Sequence, residues 1–590
     1  MLTKMSEGLK HESFYSSGSL ILEDFGLGAG WVALQGSFSD CLPIWNERQD
    51  IGLIFTGEHF ASPSDLELAG TPGSAALAGD ARWLVRLYEQ AGEKFLERLN
   101  GAFSGLLIDR RSRKLILFND RYGLNRIYYH EAKDGFYFAS EAKSLLKVLP
   151  KLRQLDLASF GELISCGCTL QNRSLFSGVS LLPGGAAWTF APGQAVSKQS
   201  YFKNESWERL SPLPEPEYYQ QLNETFTRIL PRYFQGKNQI ALSLTGGLDS
   251  RMIIAAAPVA AGGLPCYTFG GMYRDCADVR LARQIAQVCG QRHEVIPVNS
   301  KFFPEFPELA RETIFRTDGA MDIMGSVELF VNRVARELAP TRMTGNYGSE
   351  VLRGNVAFKP MPLFNGIWDP AFASNVATAG KTYADERRCL PASFIAFKQV
   401  PWHHYSRMAV EQSKLIVRSP FLDNEIVALS YRAPAALSIN KALTHRYIGE
   451  HKAALAAIPT DRGVIGPNGV AKGKLGHFCQ EFMPRAEYTY DYGMPQWLAK
   501  IDRWMKPLHV ERLFLGRQKF YHFRIWYRNE LSGYVRDMLL DRRTLSRPYL
   551  HGPTVEKIVR AHLTGSGNYT LEIHKLLSAE LIQRELIERN

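Results

Sequence analysis

One stretch constrains this 590-residue chain more than any other: Ile240-Ala241-Leu242-Ser243-Leu244-Thr245-Gly246-Gly247-Leu248-Asp249-Ser250. An apolar run of strand type enters a hydroxyl residue, two glycines, an aspartate and a serine. Met252-Ile253-Ile254-Ala255-Ala256-Ala257 then opens a helix. Strand, glycine turn and helix together make a phosphate cradle, because glycines let backbone N–H groups approach an anion at the helix start. Thr245 and Ser250 add hydroxyl donors. Asp249 repels phosphate, so its expected task is to hold a cation that bridges phosphates. No Gly-Lys-Ser/Thr follows, so the loop is not of the Walker type. A second apolar strand (Pro265 to Gly271), a helix (Val279 to Gly290) and a third strand (His293 to Ile296) continue the alternation. That order predicts a parallel, doubly wound α/β sheet with ligands at the carboxyl ends of its strands. The backbone at Ser243 and Gly270 would then flank an adenine, although an ordinary strand-end turn accounts for Gly270 equally well.

The chain is longer than one core usually serves, so two or three domains are expected. A hydrophobic content of 45% and a charged content of 22% argue against long disorder. The net charge of +11 comes from scattered residues, which suits ATP or another anion. No clustered basic run supports nucleic-acid binding. Eight cysteines without a Cys-x-x-Cys pair point to free thiols in a reducing compartment rather than a zinc site. The polar start and the lack of any long apolar run lead to the expectation of a cytoplasmic enzyme without a membrane segment.

The nucleotide loop resembles the Ser-Gly-Gly-x-Asp-Ser loop of the N-type ATP pyrophosphatases, with Thr245 in place of the first serine. A second resemblance lies upstream. Residues 14 to 200 read as short strands and turns, with a glycine-rich turn at residues 26–30, helical periodicity from Asp80 to Asn100, and a hairpin around Arg110-Arg111-Ser112. Leu99-Asn100-Gly101-Ala102-Phe103, Asp120-Arg121-x-Gly123, Tyr128-Tyr129 and Phe138-Ala139-Ser140-Glu141-x-Lys143 look like the class II glutamine amidotransferase domain. The resemblance implies an α+β, Ntn-hydrolase-like αββα sandwich. In that family an N-terminal cysteine attacks glutamine, whereas this sequence begins Met1-Leu2 and has no cysteine before Cys41. Thr56-Gly57-Glu58 stands where the family has its oxyanion Asn-Gly-Glu. Asp80 would keep the acidic contact to a substrate amine. The expectation is a domain that keeps the fold but not the glutaminase activity, with Cys41 a packed thiol.

Downstream, Thr344-Gly345-Asn346-Tyr347-Gly348-Ser349-Glu350-Val351-Leu352-Arg353-Gly354 and Val417-Arg418-Ser419-Pro420-Phe421-Leu422-Asp423 are similar to two segments of the asparagine synthetase family. The resemblance implies ATP binding by Ser243, Thr245, Gly246, Gly247, Asp249, Ser250, Gly270, Thr344 and Gly345, and Mg2+ held by Asp249 and Glu350. Tyr347 occupies the place where the family's β-lactam synthetases use a tyrosine to help remove a proton from an amine. A phenol needs a partner for that, and Glu386 is the expected one. Arg462 stands in place of the lysine that steadies the leaving pyrophosphate, with Lys472 and Lys474 as substitutes. His293 reads as a structural histidine, Arg418 and Asp423 as a pair or as loop-ordering groups, and Arg524 and Arg528 as a solvated helix face.

These readings divide the chain into an amidotransferase-like part (1–205), an ATP pyrophosphatase part (206–480) and a helical C-terminal part (481–590). The implied activity is AMP-forming amide synthesis from a small-molecule or peptide carboxylate and an amine or ammonia. Asparagine synthesis, lactam or lasso-type closure, and a non-catalytic relative remain the three alternatives; a homodimer is compatible with each.

Overall fold

The computed structural model describes residues 1–70, 80–361, 366–434, 441–460, 486–505, 511 and 515–589. Its first part is built on a six-stranded antiparallel sheet. The order is β11 (Ser197–Ser200), β10 (Ala186–Phe190), β6 (Lys114–Asn119), β5 (Phe103–Asp109), β4 (Ile51–Gly57) and β3 (Ile44–Trp45). Period-two alternation lets this sheet bury both faces. Phe103, Leu107, Ile116 and Phe118 meet the helical stretch 81–98, while Leu106, Ile108, Leu115 and Leu117 meet further strands. Those strands are the pair β1 (Tyr15–Leu22) and β2 (Leu27–Leu34), and the sheet of β8 (Gly135–Ala139), β7 (Tyr128–Ala132) and β9 (Ser180–Leu181). Helices Ala142–Val148 and Leu157–Cys166 close the far side. The layers run helix, sheet, sheet, helix, as expected.

The glycines at 26–30 behave differently from the expected turn. Only Gly26 turns the chain, in the left-handed region; Gly28 and Gly30 lie inside β2. A Cβ on Gly30 would stand 2.6 Å from Ser6 Oγ, and one on Gly28 would stand 3.0 Å from Leu2. Their small size therefore seats the helix Leu2–Glu7 on the strand.

The second part is a five-stranded parallel sheet in the order β14 (His293–Pro297), β13 (Cys266–Gly270), β12 (Ile240–Ser243), β15 (Thr341–Thr344) and β16 (Ile416–Arg418). The chain reverses direction of travel across the sheet at β12, so β12 and β15 flank the switch point where such folds bind ligands. The C-terminal helices pack onto this unit. The largest core joins Phe160 and Leu163 of the first part to Phe302 and Phe330 of the second and to Trp526 and Leu577 near the end. Arg524, expected on a solvated face, is fully buried; it donates to the Tyr490 carbonyl at 2.9 Å and lies over the Tyr490 ring. No described helix is long and apolar enough to cross a membrane.

Candidate functional site

The loop after β12 is tied by its own hydroxyls. The Thr245 N–H donates to Ser250 Oγ at 3.2 Å, and the Gly247 N–H donates to Thr245 Oγ1 at 3.3 Å. The Gly246 N–H donates to Asp278 Oδ1 at 2.8 Å, a carboxylate on a loop N–H of the kind that binds phosphate. Gly246 must be glycine because a Cβ would meet Leu281 at 2.6 Å; at Gly247 a Cβ would meet only Thr245 Oγ1, at 3.3 Å. Helix Leu248–Ala255 follows directly.

The loop after β15 closes onto the first. A Cβ at Gly345 would lie 2.6 Å from the Ser250 backbone nitrogen, and one at Gly348 would lie 2.6 Å from Asp249 Cγ. Both glycines are thus dictated by close approach, and Asp249 sits between them. Helix Gly348–Arg353 carries Glu350. Burial, opposed by Arg353 and reinforced by the Glu350 charge, holds the Asp249 carboxyl above its ordinary value. Burial likewise raises Glu350, against a hydrogen bond from Ser349. The two predicted metal ligands are therefore electrostatic neighbours.

Arg353 is the neighbour that the sequence did not announce. Its Nη2 donates to Asp249 Oδ2 at 2.9 Å and approaches Oδ1 at 2.8 Å without hydrogen-bond geometry there. Its Nε and Nη1 have no partner among the described residues although the side chain is buried. The donor set fits a dication in part. Among the described residues no three His, Cys, Asp or Glu side chains gather to hold a metal. Two carboxylates with one unsatisfied buried oxygen match magnesium, which takes few protein ligands and completes its shell with phosphate and water.

Tyr347 lies between these groups with φ +71, a left-handed conformation uncommon for a bulky residue. Burial, with Glu411 and Glu350 adding to it, pushes its phenol well above the ordinary value. At neutral pH it is a protonated hydrogen-bond donor rather than a base. Its ring meets His404 edge-on at 5.3 Å, and His404 Nε2 lies 3.7 Å from Glu350 Oε1. Burial lowers His404 to about 4, so the imidazole is neutral.

The expected partner, Glu386, is engaged elsewhere. It pairs with Lys398 at 2.7 Å and accepts from Gln171 at 2.9 Å; these contacts overcome burial and leave its carboxyl below the ordinary range. Nearness in sequence to the Tyr347 segment did not become a contact. Ser243 also differs in detail: its hydroxyl accepts from Arg342 at 3.0 Å, and its backbone is paired with β13 and β15. Thr344 Oγ1 accepts from the Asn346 N–H at 3.2 Å, and Gly270 is packed against Val295. His293 is structural, linked to Thr268 Oγ1 at 2.9 Å and lowered to about 4 by burial.

Arg462, Lys472 and Lys474 lie outside the described residues. The segment leading to them is anchored at the loop: Arg251 donates to the carbonyls of Gly246 at 3.0 Å, Ile458 at 2.6 Å and Pro459 at 3.0 Å. Arg418 and Asp423 do not pair with each other. Arg418 Nη2 binds Glu58 at 2.6 Å, and Asp423 accepts from Asn100 Nδ2 at 2.8 Å and from the Tyr233 hydroxyl at 3.1 Å. Glu58 belongs to the triplet matched to the oxyanion segment, so that segment now holds the two sheets together. Asp80 pairs with Lys237 at 3.1 Å. Cys41 is half-buried, and burial raises its thiol.

Comparison with known proteins agrees with this construction. The family model for the glutamine amidotransferase domain matches residues 1–202, and the asparagine synthase model matches residues 221–415. The chain is similar to asparagine synthetase [glutamine-hydrolyzing] 1 of Bacillus subtilis, 20% identical over 62% of this chain and 57% of that protein. It is also similar to asparagine synthetase [glutamine-hydrolyzing] 2 of Oryza sativa subsp. japonica, 23% identical over 61% of this chain and 57% of that protein. The match thus spans a little over half the length of these curated relatives. The solved B. subtilis glutamine PRPP amidotransferase aligns over 47% of this chain and 53% of that one, at 13% identity and a TM-score of 0.22, too loose to bear weight. The two matched models and these relatives agree in one conclusion: the chain belongs to the asparagine synthetase family.

Proposed function

We propose that the chain is an ATP-dependent amide ligase. A carboxylate oxygen attacks the α-phosphorus of ATP, the α–β phosphoanhydride breaks, and pyrophosphate leaves. An amine or ammonia nitrogen then attacks the acyl carbon, the bond to AMP breaks, and the amine proton passes to a base. The observation that carries this reading is the closure of two glycine loops on Asp249, with Glu350 beside it.

In this reading the N–H groups of Thr245 to Gly247 and the hydroxyls of Thr245 and Ser250 bind phosphate oxygens, with Asp278 yielding its place on Gly246. Backbone at Ser243, Gly270, Thr344 and Gly345 frames the nucleoside. Asp249 and Glu350 would hold magnesium, which when bound neutralises phosphate charge. Arg353 takes up the role of a fixed cation between them. Arg462, three residues beyond the anchored Pro459, steadies the leaving group. Tyr347 orients the acceptor by donating a hydrogen bond. The chain divides near residues 205 and 480, and its first part does not hydrolyse glutamine.

ATP–pyrophosphate exchange measured against a panel of acids tests this reading. Exchange that needs aspartate selects asparagine formation. Exchange with other acids selects amide or lactam closure on a different substrate. Absence of exchange with every acid, together with no ATP binding, refutes the reading and leaves a non-catalytic relative.

A further inference from the structure

A cavity of about 620 Å³ lies away from the nucleotide loop. It lies between the two strand layers of the first part and the helix Tyr405–Gln412 of the second. That volume is in the range of small-molecule sites. Its walls are largely apolar, with Leu2, Met5, Ile54, Leu106, Phe138 and Met408 among them.

The unpartnered polar atoms of the wall are of one kind. Among wall residues, the buried side-chain atoms that lack a hydrogen-bond partner are Arg126 Nε and Arg316 Nη1, both donors. Arg316 is otherwise neutralised by Glu12 at 2.8 Å and Glu312 at 2.7 Å. Arg126 differs. It is 6% exposed, stacks on the Tyr405 ring at 3.6 Å, and donates to the Tyr128 hydroxyl and to the carbonyls of Pro401 and Trp402. Among the described residues Arg126 forms no ion pair; Asp318, which lines a small pocket with it, is engaged by the Ala142 and Lys143 N–H groups. The carboxylates on this wall are already engaged, Glu141 by His11 and Lys143. A buried guanidinium without an anion is a standing electrostatic deficit.

We infer that this chamber binds an amphipathic carboxylate, with its apolar body on the Leu106 and Phe138 wall and its carboxylate drawn to Arg126. This does not rest on the ligase reading. A neighbouring cavity of about 150 Å³ shares Thr56, Asn125, Met408 and Gln412 with it and reaches Tyr347, so occupancy can be felt at the synthetase site.

Calorimetry of the full chain with octanoate, decanoate, decanol and L-glutamine is the test. Decanoate should bind one-to-one, about fourfold tighter for each CH2 beyond octanoate. Decanol should bind about tenfold to a hundredfold more weakly, as should decanoate to Arg126→Met. Leu106→Trp, which narrows the chamber at the wall assigned to the apolar body, should weaken decanoate binding about tenfold; it decides the matter if Arg126→Met does not fold. Equal binding of decanol and decanoate, binding undiminished in Leu106→Trp, no binding of any carboxylate, or preference for L-glutamine would each overturn the inference. Pyrophosphate exchange measured alongside separates failure here from failure of the ligase reading.

Discussion

At the scale of the residue, Asp249 is held by what is missing around it. The hydrogens of Gly345 and Gly348 leave the only space into which its carboxylate fits. Gly348→Ala must push Asp249 aside, since the new Cβ would fall 2.6 Å from Cγ. The expected result is loss of pyrophosphate exchange by about a hundredfold, at about 2.7 kcal/mol of transition-state energy, with a circular dichroism spectrum like the wild type. Undiminished exchange would count against the site. Arg353→Met leaves Asp249 without its cation and should cost about 3 kcal/mol of stability, read from urea unfolding, with partial rescue by Lys. The glycines, Asp249 and Glu350 were legible because loop chemistry is local. Arg353 and His404 were not, since each acts through contacts made only when distant segments meet. Glu386 was misread for the same reason.

At the scale of the element, strand–helix alternation announced the parallel sheet, and short strands with a hairpin at Arg110-Arg111-Ser112 announced the antiparallel one. The placement of β15 beside β12 followed from neither pattern, because strand order is decided by packing across the sheet. Two side chains do much of that joining. Arg251, fully buried, fastens residues 458 and 459 behind the nucleotide loop. Arg251→Met should weaken ATP binding about tenfold, read by equilibrium dialysis, because Ile458 and Pro459 lose their anchor behind the nucleotide loop. The Glu58–Arg418 pair joins the matched oxyanion segment to β16. Glu58→Gln strands a largely buried guanidinium and should cost about 3 kcal/mol; a thermal midpoint unchanged from wild type would contradict that placement. The motif around Arg418 was plain in the sequence, but its partner lies 360 positions away.

At the scale of the molecule, burial lowers eight described imidazoles, His451 among them. His59, His293, His404 and His445 fall to about 4, and His403, His562 and His574 to about 3. The unfolded chain takes up these protons near pH 6.5 and the folded chain only near pH 4 or below. The unfolded state therefore binds more protons between those values, and stability falls as pH drops through that window. Each deeply buried histidine of this set costs on the order of 2 kcal/mol by pH 5, and the more solvated His293, His445 and His451 cost less. Asp120, raised to about 6 by burial, works the other way, as do Glu162, Asp249, Asp318, Asp322, Glu350 and Asp423, whose carboxyls burial also raises; these act nearer the ordinary carboxylate range, below most of the histidine window. Calorimetry should show a lower melting temperature at pH 5 than at pH 7, with proton uptake on unfolding; equal values would contradict the burial of these rings.

The core that runs from Phe160 through Phe330 to Trp526 and Leu577 carries a consequence for ancestry. Chemistry in the first third can drift residue by residue, yet the third itself cannot be discarded, because its helices roof the remainder. A change there that spares the shared core is tolerated locally, whereas one that opens it reaches the parallel sheet as well.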